Sequence, residues 1–160
     1  MATLHLVCGL PGSGNSTLAA KLEVERQALR QTPDDWIARL HGGDGYDADQ
    51  RERIEKLQLD VALRALALGV DVVLDNGFWS REERDIYRVR AAAASAETRL
   101  YFLDVPADEL KQRLAKRNTN PPPGSFVVKP EDIDGWLLVF ERPAADEPGL
   151  VGAHELLSCG

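Results

Sequence analysis

A glycine-rich segment near the N-terminus carries the clearest chemistry of this sequence. Residues 9–17 read Gly-Leu-Pro-Gly-Ser-Gly-Asn-Ser-Thr and match the pattern G-x-x-x-x-G-K-[ST] at every fixed position except one. Glycines in this pattern adopt backbone angles that other residues avoid, so consecutive N–H groups point into one concavity and hold a phosphate. The helix that follows adds the positive end of its dipole. The predicted ligand contacts of this phosphate-binding loop are Leu10, Pro11, Gly12, Ser13, Gly14, Asn15, Ser16 and Thr17.

Asparagine stands at position 15, where the pattern requires lysine. The lysine normally reaches the β- and γ-phosphates of a nucleotide, and the next hydroxyl, here that of Ser16, ligates Mg²⁺. Asn15 is shorter and neutral, so it can donate a hydrogen bond to a phosphate oxygen but cannot offset the charge that develops during phosphoryl transfer. Loss of one such donor typically lowers a rate by about 10²- to 10³-fold. Two interpretations stay open: a natural loop that turns nucleotide over poorly, or a substitution in an otherwise competent enzyme.

Length and charge set the class of protein. A chain of 160 residues suits a single domain over residues 1–160 with one core. The net charge of -7 argues against a general nucleic-acid or membrane-surface binder. No apolar run approaches the ~18 residues that span a bilayer and no secretory leader is visible, so we expect a cytoplasmic protein. The two cysteines and three histidines lack metal-ligand spacing, and the oligomeric state is left open.

Strand and helix signals alternate along the chain. Strands are predicted at 3–8, 29–31, 70–75 and 100–104, and helices after the loop, from 33, over 49–68, over 81–96, over 106–118 and from 130. The continuous apolar run of residues 72–74 favours a buried parallel sheet. The pattern predicts a three-layer α/β fold of the P-loop NTPase type, with about four or five parallel strands, helices on both faces and ligands at the carboxyl ends of the strands. The tail from Pro143 is either a fifth strand or a loose surface segment.

Three local features refine these predictions. The hydroxyl of Thr32 is expected to cap the helix that begins at Pro33, and Ser80 to Glu83 form a capping box. The helix over 49–68 is expected to bury one apolar side, composed of Ile54, Leu57, Val61, Ala65 and Leu68.

Four motifs in sequence order resemble the small P-loop kinases. After the loop come Asp34-Asp35-Trp36, then Val73-Leu74-Asp75-Asn76, then Phe102-Leu103-Asp104-Val105-Pro106 followed by Arg113 and Arg117. Over about residues 3–142 the sequence is most similar to the kinase domain of phage polynucleotide kinase and to the zeta-toxin and chloramphenicol-phosphotransferase-like group. The resemblance implies a P-loop kinase that uses ATP and Mg²⁺ and phosphorylates a hydroxyl.

The resemblance also implies roles for three side chains. Asp34 matches the aspartate that accepts the proton of the substrate hydroxyl, with Asp35 as the alternative, although acidic residues in a first helical turn are also favoured by the helix dipole alone. Arg113 and Arg117 match arginines that close over the phosphates, within a lid around residues 113–129. Their i,i+4 spacing places them on one helical face, where a solvated basic stripe with Lys116 is the competing interpretation.

The acceptor side is assigned to residues after the third strand. Asp75 and Asn76 are expected to contact the acceptor or Mg²⁺, with a strand-end turn cap as the alternative for Asp75. Trp79 is expected to stack on an acceptor ring, or else to lie in the core. The arginine that follows the catalytic aspartate by three residues in polynucleotide kinase is replaced by Ile37. That departure favours a small hydroxylated acceptor over a polynucleotide.

A second hypothesis follows from Asn15. The chain is then a catalytically inactive ATP-binding module, in which nucleotide occupancy presents a surface to a partner.

Overall fold

The computed structural model describes residues 1–42, 47–121, 127–152 and 155–156. Its elements are, in chain order, β1 (Thr3–Cys8), α1 (Asn15–Arg26), β2 (Leu29–Gln31), α2 (Pro33–His41), α3 (Ala48–Ala67), β3 (Val72–Gly77), α4 (Arg81–Ala93), β4 (Glu97–Phe102), α5 (Ala107–Thr119) and α6 (Pro130–Val139). The predicted alternation of strands and helices is confirmed. Among the residues described, no helix combines the length and the apolar character that a membrane crossing requires.

The strands form one parallel sheet in the order β2-β3-β1-β4. This sheet with its helices confirms the predicted α/β fold. Because all strands run in the same direction, their carboxyl ends meet at one edge, where the loop after β1 lies beside the ends of β2 and β3. One irregularity interrupts that edge: Leu6 pairs with Leu74 but Cys8 pairs with Gly77, so β3 carries one extra residue. Such a bulge re-aims the side chains around it.

Alternation along β1 distributes its side chains between two cores. Leu4, Leu6 and Cys8 pack with α3 and α4, through Leu59, Ala62, Leu66, Tyr87 and Ala91 among others. Val7 faces the opposite side and packs with Leu18, Ala19 and Leu22 of α1. The sheet is therefore covered on both faces, which explains the apolar runs of its strands.

A third apolar cluster connects the loop after β1 to the C-terminal helices. Leu10 packs there with Leu110 and Leu114 of α5 and with Ile133 of α6. A β-carbon at Gly12 would come within 3.1 Å of Leu114. α5 therefore packs directly against the loop. Residues 113–119 of the predicted lid belong to this helix, whereas residues 122–126 lie outside the described part of the chain.

The tail pairs with the sheet at one point. Leu150 forms a parallel bridge with Leu100, and Leu100 exchanges two backbone hydrogen bonds with Gly149 and Val151, of 2.8 and 2.9 Å. Glu147 is fully buried and accepts hydrogen bonds from Arg84 and Arg88 of α4. The tail is therefore neither a regular fifth strand nor loose over residues 147–151.

The predicted apolar side of α3 is wrong in its register. The buried residues are Ile54, Gln58, Leu59, Ala62 and Leu66, whereas Leu57 is 56% exposed and Leu68 is 82% exposed. The apolar pattern misplaced the buried face because a polar residue, Gln58, lies on it. The prediction that Thr32 caps α2 is also wrong, because its hydroxyl donates to Asp75 instead. Ser80 does cap α4, accepting a hydrogen bond from the Glu83 amide at 3.0 Å.

Candidate functional site

The loop after β1 has the backbone that phosphate binding requires. Gly12 and Gly14 adopt positive φ angles of 89° and 96°, and Gly14 is the N-cap residue of α1. The Ser13 amide donates to the Leu10 carbonyl at 3.1 Å, which closes the turn. A side chain at either glycine would strain these angles. The N-terminus of α1, with its unpaired N–H groups, therefore opens directly from the glycine turn.

Asn15 folds back onto the base of this loop. Its Nδ2 donates a hydrogen bond to the Gly9 carbonyl at 2.9 Å. Its Oδ1 is buried and has no hydrogen-bond partner among the described residues. A β-carbon at Gly9 would come within 2.8 Å of Asn15 Oδ1, so the Asn15 side chain would have to shift to admit one. The residue at position 15 thus stabilises the loop backbone and brings no positive charge to it.

The hydroxyls of Ser16 and Thr17 lie in the first turn of α1, where both residues are exposed. Hard oxygen ligands of this kind suit Mg²⁺, which in nucleotide sites takes one or two protein ligands and completes its shell with phosphates and water. Within the described ranges, no group of three His, Cys, Asp or Glu side chains could hold a metal ion. The exposed hydroxyls of Ser16 and Thr17 are oxygen ligands of the kind that fits a metal held largely by a nucleotide.

Asp34 lies in the first turn of α2 and forms an ion pair with Arg51 of α3. Arg51 donates from one terminal nitrogen to Asp34 Oδ1 at 2.6 Å and from Nε to Glu55 at 2.9 Å. Its other terminal nitrogen lies 3.4 Å from the Asn76 carbonyl oxygen. Sequence reasoning missed Arg51. The available signal was its i,i+4 spacing to Glu55, but nothing local indicated a contact with α2.

Asp35 points away from that ion pair. It lies 3.7 Å from Arg30 of β2, with its side chain 55% exposed. Arg30 also donates to Glu23 and to the hydroxyl of Thr32. The two neighbouring aspartates therefore face different cations, and Asp34 is the one joined to the end of β3 through Arg51.

Asp75 lies in the bulged part of β3 and is poorly solvated. Its Oδ2 accepts a hydrogen bond from the Thr32 hydroxyl at 3.2 Å, and its Oδ1 has no partner in the described part of the chain. Burial raises the pKa of this carboxyl to about 7, with Asp34 and Asp35 adding to the rise and Thr32 and Arg30 opposing it. Asp75 therefore titrates near neutral pH.

Asn76 turns toward the opposite side, where α3 and α4 meet. Its Nδ2 lies 3.3 Å from the Tyr87 hydroxyl, and its buried Oδ1 lacks a described partner. Two carboxylates occupy the same region. Burial raises the pKa of Glu55, and burial together with the charge of Glu55 raises the pKa of Glu83 to about 7. The sequence analysis assigned neither glutamate to the site, because Glu83 reads as part of a capping box and Glu55 as an ordinary helix-surface residue.

Arg113 and Arg117 extend from α5 beside the loop. Arg113 donates to the Gly12 carbonyl at 3.2 Å and pairs with Glu109 on its own helix. Arg117 is half-buried, and its Nε is buried without a described hydrogen-bond partner. Burial lowers the pKa of Arg117, while the charge of Asp34 acts in the opposite direction. Of the two arginines, Arg113 is the one that contacts the loop directly.

Trp79 is half-buried and lies against two other aromatic rings. The ring centres of Trp79 and Trp136 are 5.6 Å apart, and those of Trp79 and Phe140 are 6.4 Å apart. The indole also contacts the apolar cluster around Leu10 and α5. Phe78, which precedes it, has a positive φ of 50° and is fully buried.

Comparison with known proteins gives one family and many related structures. The family model described as AAA domain matches residues 4–143. A search of curated proteins finds no match.

Three solved kinases share the fold. A sugar kinase from Janibacter sp. HTCC2649 has a TM-score of 0.68 and 19% sequence identity, and the match covers 99% of this chain and 91% of that one. The APS kinase CysC from Mycobacterium tuberculosis has a TM-score of 0.66 and 20% identity, with 99% of this chain and 96% of that one covered. A gluconokinase from Sinorhizobium meliloti 1021 has a TM-score of 0.64 and 19% identity, with 94% of this chain and 80% of that one covered. At these identities the likeness concerns the fold, and it agrees with the P-loop kinase resemblance of the sequence.

Proposed function

The chain belongs to the AAA domain family, and within it we propose an ATP-dependent phosphotransferase that moves the γ-phosphate to a hydroxyl of a small molecule, with activity weakened by Asn15. One observation carries this proposal: the glycine loop, with Gly12 and Gly14 at positive φ, opens into α1 while α5 brings Arg113 within 3.2 Å of the Gly12 carbonyl. A carboxylate that orients the hydroxyl and a cation that offsets the charge of the transferring phosphate are recurring parts of such sites, and α2 and α5 supply them as Asp34 and Arg117.

Asp34 is assigned to the acceptor hydroxyl. Its ion pair with Arg51 fixes the position of the carboxylate, so it serves to orient the hydroxyl and to accept its proton as the new bond forms. In the balanced step, the hydroxyl oxygen forms a bond to the γ-phosphorus, the bond from that phosphorus to the bridging oxygen breaks, and ADP leaves with the bond electrons. The proton of the hydroxyl passes to Asp34.

Arg117 and Arg113 are assigned to the transferring phosphate. The fork of an arginine can hold two phosphate oxygens and stays charged, which suits charge that develops in the transition state. Ser16 would hold Mg²⁺, which would supply further charge neutralisation when bound. Because Asn15 is neutral and bonded to Gly9, these arginines carry the charge stabilisation that a lysine would otherwise share.

A small acceptor is favoured over a polynucleotide. The net charge of -7 is unfavourable for a nucleic-acid backbone, and the apolar Ile37, buried in α2, offers it no charge. Neighbours named as a sugar kinase and a gluconokinase support a small hydroxylated acceptor. Asp75, Asn76 and Trp79 remain assigned to the acceptor side.

The decisive comparison is between this protein and its Asn15→Lys variant. Isothermal titration with Mg-ATP and Mg-ADP should give tighter ATP binding in the variant with a smaller change for ADP, because a lysine there reaches the outer phosphates. Product analysis over a panel of hydroxylated small molecules should show transfer increased by about 10²- to 10³-fold. Asn15→Gln, which stays neutral, is the matched control and should not gain activity.

The alternative, an ATP-binding module without catalysis, is motivated by the hydrogen bond between Asn15 and Gly9, which ties down the loop in the absence of charge. It predicts that ATP raises the melting temperature of both proteins while neither produces ADP. Absence of transfer by the lysine variant across the whole panel would remove the phosphotransferase and leave this module.

A further inference from the structure

The segment that connects β3 to α4 has a backbone conformation that a bulky residue rarely adopts. Gly77 and Phe78 have positive φ angles of 90° and 50°, and Phe78 is fully buried. Glycine adopts such angles freely, whereas an aromatic residue keeps them only where the surrounding contacts hold it there. The Gly77 carbonyl accepts a hydrogen bond of 3.0 Å from the Gly9 amide at the base of the phosphate-binding loop, and Trp79 follows directly. The conformation of Phe78 therefore sets the course of the chain beside the site.

A buried arginine holds the Phe78 carbonyl. Arg84 of α4 is 1% exposed, and its Nη1 donates a hydrogen bond of 2.8 Å to that oxygen. The Cys8 thiol donates a second one, at 3.3 Å. Because a thiol is a weak donor, loss of the arginine would leave this buried carbonyl poorly satisfied. Arg84 therefore stabilises the left-handed conformation of Phe78 relative to the relaxed ones.

A carboxylate from the C-terminal tail orients this arginine. Glu147 accepts a hydrogen bond from Arg84 Nε at 2.6 Å and another from Nη2 at 3.2 Å, so Nη1 is left for Phe78. A two-point, charge-assisted pair of this kind fixes both the distance and the plane of the guanidinium. Arg88 donates to the same carboxylate and to the Pro148 carbonyl, but none of its described hydrogen bonds reaches Phe78. The tail thus acts on Phe78 through Arg84 and not through Arg88.

We propose that Glu147 and Arg84 are positioning residues of the site. Through the Phe78 carbonyl they fix the direction in which the chain enters Trp79, and with it the place of the indole ring against Trp136. The catalytic consequence rests on the proposed phosphotransferase, in which Trp79 belongs to the acceptor side. The conformational part does not depend on any reaction, so the two are tested separately.

Replacement of the whole ion pair separates positioning from stability. A single substitution leaves a buried charge unpaired and destabilises the fold, whereas exchange of a buried ion pair for apolar side chains of similar volume is often neutral. The double variant Arg84→Met/Glu147→Leu makes this exchange and removes the donor to Phe78. Arg88→Met is the matched control, because it removes a different cation from Glu147 and keeps the Phe78 contact. Urea denaturation and circular dichroism establish that both variants are folded.

Fluorine NMR measures the conformation without turnover. In protein labelled with 5-fluorotryptophan, the Trp79 resonance is identified by its loss in Trp79→Phe. The double variant should shift this resonance and leave that of Trp36 on α2 in place, while Arg88→Met should shift neither. Arg84→Lys keeps a charge for Glu147 without the fork that reaches both partners, and it should shift the Trp79 resonance as well. An unchanged Trp79 resonance in these folded variants overturns the proposal, whatever reaction the protein catalyses.

Steady-state kinetics test the catalytic consequence. In the Asn15→Lys background, with the best substrate of the acceptor panel, the double variant should raise KM for the acceptor by about 10-fold and change KM for ATP by less than about 2-fold. A pair with a structural role alone would leave both constants unchanged once it is replaced at equal stability. An unchanged acceptor KM in a transfer-competent protein overturns the positioning role and leaves the phosphotransferase standing. A Trp79 shift in a protein that transfers no phosphate supports the conformational part and counts against the proposed function.

Discussion

The carboxyl of Asp75 should make the stability of the protein depend on pH in a way that one substitution removes. Its pKa rises from an ordinary value of 3.8 to about 7 because the side chain is buried beside Asp34 and Asp35. Between these values the folded protein retains a proton that the unfolded chain has released. The contribution of Asp75 to the free energy of unfolding should therefore be largest at low pH, and it should be lost as the pH rises from about 4 through about 7.

The expected magnitude follows from the two pKa values. A tenfold change in an ionisation constant corresponds to about 1.4 kcal/mol, so a rise from 3.8 to about 7 corresponds to at most about 4 kcal/mol. Relaxation around the ionised carboxylate reduces this value, and we expect a destabilisation on the order of 2–4 kcal/mol above neutral pH. Asp75→Asn has no ionisable group at this position and keeps an oxygen for the Thr32 hydroxyl.

Urea denaturation followed by tryptophan fluorescence measures the effect. From about pH 5 to about pH 8.5, Asp75→Asn should gain stability relative to the unsubstituted protein, reaching on the order of 2–4 kcal/mol at the upper end. The difference between the two proteins isolates Asp75, because Glu55 and Glu83 titrate in both. Asp60→Asn is the control, since its carboxylate on α3 is 69% exposed, and its profile should stay within about 0.5 kcal/mol of the original. A difference in the free energy of unfolding between Asp75→Asn and the unsubstituted protein that stays constant with pH would refute the burial argument.

Two further predictions concern the tail and the arginines of α5. Glu147→Ala leaves Arg84 of α4 buried without its carboxylate and should lower the free energy of unfolding, measured in urea, by about 3–5 kcal/mol. Asp85→Ala removes a half-exposed carboxylate that is paired with Arg88 on α4, and it should lower that free energy by at most about 1 kcal/mol. Equal losses would show that the buried pair has no special role. In the Asn15→Lys variant, Arg117→Met should lower kcat in steady-state assays by about 10²- to 10³-fold. Lys116→Met, at an exposed neighbouring residue, should leave kcat unchanged in the same assays. Equal kcat values for the two variants would exclude Arg117 from transition-state stabilisation.

The backbone of the site was largely predictable from the sequence. The glycine loop, the strand before it and the helix after it are encoded by neighbouring residues, because positive φ angles and apolar alternation leave local signatures. Gly12 and Gly14 adopt the expected conformation, and β2 has the predicted bounds. The buried face of α3 was less predictable, because a buried polar residue, Gln58, interrupts the apolar pattern from which that face was predicted.

The side-chain partners of the site were not predictable in the same way. Arg51 meets Asp34 across 17 positions of sequence, and Arg84 meets Glu147 across 63. Nothing near either residue in the chain specifies its partner, since the contact depends on how α2, α3, α4 and the tail pack against the sheet. The raised pKa values of Asp75 and Glu83 have the same origin, because burial is a property of the packed protein.

The sequence by itself predicted a phosphate-binding loop with Asn15 in the place of its lysine, within an alternating α/β chain, because those features depend on residues that are neighbours along the backbone. The tertiary structure decided what surrounds the loop: Asn15 is folded onto Gly9, Asp34 is paired with Arg51, and Glu83 is half-buried near the charge of Glu55. These features depend on the folded chain, because charge and burial act through space between segments that are far apart in the sequence.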